Sequence, residues 1–103
     1  MKVRFLKPAQ SEVDDSFAWY DSQSRGLGTQ FLDDVDRTIR RIVAYPLSSV
    51  EIEQDVRRCL LSRFPYGIIY GIDSGTVIIV AVAHLHREPR YWIDRLLEEK
   101  KSM

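Results

Sequence analysis

Hydrophobic positions in this chain switch between two spacings. Val3 and Phe5 alternate with Lys2 and Arg4, which predicts a short opening strand. Pro8 ends that strand and suits the first turn of a helix, where its missing N–H would have no partner. From Ala9 onward the apolar side chains fall at Val13, Phe17 and Tyr20, a helical interval, with Glu12, Asp14 and Asp15 expected on the outer side. Gly26-Leu27-Gly28 interrupts this stretch with residues able to take positive φ. A second helical stripe follows through Phe31, Val35, Ile39 and Ile42, while Asp33, Asp34, Arg37, Arg40 and Arg41 lie off it. Pro46 disfavours helical geometry at Tyr45, so the helix should stop there. Together these stretches form a helical hairpin.

Beyond a loop at residues 46–54 the period drops to two. Val56 to Leu61 and Phe64 to Ile72 are strand candidates, and Asp73-Ser74-Gly75 has the composition of a hairpin turn. Thr76 to Ala83 is apolar on both faces, as a central strand must be. Pro65 cannot donate to a ladder and marks a strand start or an edge. Pro89 to Lys101 carries only a weak amphipathic stripe and reads as a short helix with a frayed end. The predicted fold class is α+β: an N-terminal strand, an α-helical hairpin packed on one face of a mainly antiparallel β-sheet, and a short C-terminal helix. Phe17, Phe31, Val35, Ile39 and Ile79 are expected in the shared core.

At 103 residues the chain holds one domain, 1–103. With 45% hydrophobic and 29% charged residues it has a globular composition. Its 15 basic and 15 acidic residues cancel, which removes the case for a protein that coats nucleic acid. Cancellation hides a split: residues 1–56 carry 7 basic and 10 acidic groups (7 − 10 = −3), and residues 57–103 carry 8 and 5 (8 − 5 = +3). Arginine dominates the basic part, and its planar fork suits phosphate and carboxylate. One face meeting an anionic partner is a reading of that split; ordinary solvated charge is the other. No apolar run approaches the roughly 18 residues of a membrane span, and the charged N-terminus is no signal peptide. A cytoplasmic protein is expected. The single Cys59 leaves no internal disulfide and no multi-cysteine zinc site.

Candidate chemistry concentrates at the end of the last strand. His84-Leu85-His86-Arg87-Glu88-Pro89-Arg90-Tyr91-Trp92-Ile93-Asp94-Arg95 gathers two imidazoles, three guanidiniums, a phenol and an indole. In a regular strand His84 and His86 point the same way, with Val82 and Val80 behind them. Imidazole exchanges protons near neutral pH, arginine holds phosphate, and tyrosine or tryptophan stacks on bases. Such a set serves metal-free phosphodiester cleavage, or recognition without chemistry. Equally, His84 and Trp92 serve packing and the arginines are solvated. Arg57 and Arg58 should place one guanidinium on each sheet face. His-x-His lacks a third ligand, so no metal and no cofactor is expected.

Three motifs in series carry a resemblance. Gly26-Leu27-Gly28-x-x-Phe31-Leu32, then Phe64-Pro65-Tyr66-x-Ile68-x-Tyr70, then His84-x-x-Arg87-x-Pro89-x-Tyr91-Trp92 with Arg95 resembles the RelE/ParE toxin superfamily, on the ParE side. The resemblance implies a toxin of a bacterial type II toxin–antitoxin system, held in a hetero-oligomer by an antitoxin encoded in an adjacent gene. It implies DNA gyrase as the target and no enzyme activity. The alternative is a RelE-like, metal-independent endoribonuclease that cuts messenger RNA on the ribosome, with Arg63, His84, His86, Arg87 and Tyr91 as its candidates. A further alternative is a non-toxic binding module that keeps the fold. RNA-cutting relatives carry an arginine where Gly67 stands here, and a glycine neither holds a phosphate nor moves a proton. For a target-binding surface the candidates are Arg58, Arg63, His86, Arg87, Arg90 and Tyr91.

Overall fold

The computed structural model describes residues 1–101, with side chains through Glu99. Its elements run β1 (Lys2–Phe5), α1 (Lys7–Gln23), α2 (Leu27–Ala44), β2 (Val50–Glu53), β3 (Val56–Leu60), β4 (Tyr66–Asp73), β5 (Thr76–His84) and α3 (Ile93–Lys101). The five strands form one sheet in the order β1-β5-β4-β3-β2. β1 pairs parallel to β5, and every other pairing is antiparallel. The α+β expectation therefore holds, with β5 in the interior as its two-sided apolar sequence requires. The short helix expected over Pro89 to Lys101 with a frayed end starts only at Ile93 and stays helical to Lys101. β2 is an addition: the stretch read as loop contains a four-residue edge strand, too short and too bulged for alternation to reveal.

Both faces of the sheet bury apolar side chains. On the first, α1 and α2 cover Ile68, Tyr70, Val77, Ile79 and Val82. Phe31 and Ile79 are wholly buried and Val35 nearly so, while Phe17 and Ile39 are only half-buried. Phe17 sits where the two helices cross. A Cβ added at Gly28 would lie 2.7 Å from the Phe17 carbonyl oxygen, so close approach, not positive φ, demands this glycine. Gly26 does take φ 88°, and the Asp21 carboxylate accepts the Gly26 and Gly28 N–H groups that open α2. On the second face, Leu6, Val56, Ile69, Ile78, Val80 and Ala81 pack with Trp92 from the segment before α3.

One irregularity decides which face each residue of β5 meets. Ile69 pairs with Ala81 and Tyr70 with Ile79, so Val80 is an extra residue, a bulge. Alternation resets there. Val80 and Ala81 both face Trp92, and Val82 returns to the helices. The regular-strand expectation that Val80 stands behind Val82 is corrected accordingly. β1 also stops short: its last pair is Phe5 with Ile79, so among the described residues β5 continues past it with no strand on that side.

Candidate functional site

The turns after β5 follow from local chemistry. His84 C=O accepts the Arg87 N–H at 3.0 Å, and Arg90 C=O accepts the Ile93 N–H at 2.9 Å. Arg90 takes φ 66°, a left-handed conformation costly for arginine. Its Nε lies 2.9 Å from Glu53 of β2, which anchors the strained residue. The two reversals fold the chain back and set Trp92 against the second sheet face.

Between these turns and β2–β4 lies a cleft of about 250 Å³. Arg58, Arg87, Arg90 and Tyr91 line it, above Ile69 and Trp92. Arg58 stands on this face and Arg57 on the other, as expected: Arg57 donates to the Leu47 and Ser49 carbonyls and pins the loop before β2. The Arg58 stem lies across Gly67, where an added Cβ would come within 3.1 Å of its Cγ and Cδ. Arg87 places its Cζ 3.9 Å above the Tyr91 ring centroid, a cation–π contact. Among the described residues, neither Arg58 nor Arg87 has a carboxylate within ion-pair distance. Two guanidinium forks thus remain open to an anion at one cleft.

Tyr91 is held from behind by a residue that periodicity placed on the outer side of α1. Glu12 is mostly buried, and its carboxylate accepts the Tyr91 hydroxyl at 2.5 Å. The same carboxylate accepts Arg95 Nη1 at 2.8 Å, Arg95 Nη2 at 3.1 Å and the Val82 N–H at 3.0 Å. Arg95 Nη1 also donates to the Val80 carbonyl at 3.0 Å. Glu12 and Arg95 therefore stand in for the missing strand beside β5, pairing backbone groups that β1 leaves behind. Burial, then the Glu12 hydrogen bond and charge, push the Tyr91 phenol well above its usual value, against a smaller pull from Arg95 and Arg87. It stays a neutral donor. For Arg95, burial pulls downward, but the Glu12 bond and charge outweigh it and the shift is upward.

The other expected residues distribute unevenly. His84 ends β5 and, past the bulge, turns its ring to the helix side, 5.1 Å from the Tyr66 ring centroid. A second cleft of about 240 Å³ opens there, and it shares His84, Arg87 and Tyr91 with the first. His86 lies beyond the strand, exposed; its N–H donates to His84 Nδ1 at 3.1 Å. That bond leaves Nε2 to carry the proton of the neutral ring. Arg63 stands apart from the arginine cleft: it follows β3 and donates to Gln30 of α2 at 3.3 Å. The loop that carries it is fixed by Asp34, a fully buried carboxylate accepting N–H groups of Ser62, Arg63 and Phe64. Sequence spacing missed Asp34 as it missed Glu12. Among the described residues no three His, Cys, Asp or Glu side chains gather as a metal site, and no helix is long and apolar enough to cross a membrane.

Residues 3–89 match the family of ParE toxins of the type II toxin–antitoxin system parDE. In structure the chain is similar to one from the chromosomal ParDE TA system of P. aeruginosa, with a TM-score of 0.71 at 15% identity. That alignment covers 82% of this chain and 95% of the other, and it shows a shared fold. Among curated proteins none matches significantly in sequence.

Proposed function

Because this chain belongs to the ParE family of toxins of type II toxin–antitoxin systems, we propose that it meets its cellular target through the arginine cleft. The observation that carries this is the pair Arg58 and Arg87: both line one cleft, and among the described residues neither is committed to an internal carboxylate. Arg90 and Tyr91 shape the cleft, one tied to Glu53 and the other to Glu12. The target in this reading is DNA gyrase, in the cytoplasm, and the action is obstruction without bond cleavage. Two features support it over a nuclease. Position 67 carries no side chain, and the His84 Nδ1 lone pair is occupied by the His86 N–H.

The second part of the proposal concerns the antitoxin. Val50, Leu60 and Leu85 are exposed on or beside the same sheet face as Arg58. An apolar surface with uncommitted arginines fits an amphipathic, acidic segment of a partner encoded alongside. Such a segment would cover the cleft and silence the toxin in a hetero-oligomer.

Purified protein tests the target directly. Inhibition of gyrase supercoiling, with ribosome-bound messenger RNA left intact, is the expected result. Cleavage of codons on the ribosome would replace this reading with the endoribonuclease one, for which Arg58 lying over Gly67 restores a guanidinium to that part of the sheet. Activity in neither assay, with no growth arrest on induction, would favour a binding module.

A further inference from the structure

Arg87 is exposed, in a turn beyond the last ladder pair of β5, so the sheet does not fix where its guanidinium points. What it rests on is the Tyr91 ring, 3.9 Å from its Cζ. That ring is itself fixed at its far end by the 2.5 Å bond from its hydroxyl to Glu12 Oε2. Glu12 in turn has little freedom. One oxygen accepts the Val82 N–H and Arg95 Nη1, and the other accepts Tyr91 and Arg95 Nη2. A chain of contacts therefore runs from the α1 carboxylate through the phenol to the arginine. We propose that Glu12 is a positioning residue for the toxin's target contact: from α1 it fixes the Tyr91 platform, and so sets the direction in which Arg87 leaves the sheet. This rests on the reading of Arg87 as a target contact.

Removing Glu12 alone strands a half-buried arginine and invites unfolding. The test therefore uses Glu12→Leu with Arg95→Met, which removes both charges together, and Tyr91→Phe, which keeps the ring but not its bond to Glu12. Each is compared with the parent and with Arg87→Ala. The melting temperature and the inducer level needed for growth arrest are measured on every protein, and the ring-current displacement of the Arg87 side-chain protons by NMR on all but Arg87→Ala. Folded variants should lose most of the displacement, and toxicity should fall about tenfold, the scale of one hydrogen bond to a charged group. Folded variants with parental displacement and parental toxicity would overturn the proposal. So would toxicity that tracks melting temperature alone and returns on cooling. If Arg87→Ala is as toxic as the parent, the target-contact reading fails, and the NMR displacement still reports whether Glu12 holds the platform.

Discussion

The two faces of the sheet are built from the same kinds of residue and end in different states. Beneath the helices the face is sealed: Phe31 packs against Tyr20, Phe64 and Tyr66 with ring centroids 5.0 to 5.5 Å apart, and Asp34 closes the adjoining loop. The opposite face is sealed only where Trp92 and α3 lie on it. Further along, Leu60 is 48% and Leu85 50% exposed, beside Arg58. One face is a core along most of its length and opens only at the shallow cleft beside His84. The other is a core at one end and an open surface at the other, and the arginine cleft lies at their border. Stability is thus concentrated where helices cover the sheet, and the proposed target contact lies where the cover stops.

Substitutions can sharpen that contrast, beginning with the largest expected loss. Phe31→Ala should cost about 3–5 kcal/mol, the scale for truncating a buried aromatic, read as a lower denaturation midpoint. Trp92→Ala should cost a similar amount if the second face is a true core where it is covered; a small loss would reduce that face to a surface patch. Asp34→Ala leaves three N–H groups without their acceptor and should cost about 1–3 kcal/mol, with proteolysis at residues 62–64 rising first.

The contrast also explains what was readable from the sequence. The hairpin, the central strand and the turn at Ser74-Gly75 were all legible, because each rests on periodicity or on a residue's own backbone preference. The cluster from His84 to Arg95 was legible as chemistry. Which way it faces was not, because the Val80 bulge resets the alternation and leaves no mark in an all-apolar run. Glu12 and Asp34 were hidden for another reason. An acidic residue on a helix is ordinarily solvated, and only partners 28 to 83 residues away make these two internal. Arg63 and Arg87 look alike in sequence, yet one bonds Gln30 and the other stacks on Tyr91 beside the cleft.

A smaller effect follows from the tyrosines under and beside the helices. Burial, then Tyr66, raises the Tyr20 phenol from 10.0 to about 12, and Tyr91 is pushed upward as well. The native state keeps these protons where unfolded tyrosines lose them. Their contribution is therefore fully present below pH 10 and declines as pH rises from there towards 12. Denaturation midpoints should fall across that interval, and Tyr20→Phe should flatten the fall. An equally steep fall in the variant would assign the effect elsewhere.

The smallest stability effect should accompany the largest functional one. Arg58→Ala and Arg87→Ala remove exposed side chains and should each change stability by less than about 0.5 kcal/mol. Growth on induction of the double variant, with its melting temperature measured alongside, tests the account most directly. Arrest by the parent, with growth restored by a double variant that melts at the parental temperature, is the result predicted. Arrest by the double variant as complete as by the parent would contradict the assignment of the arginine cleft to the target.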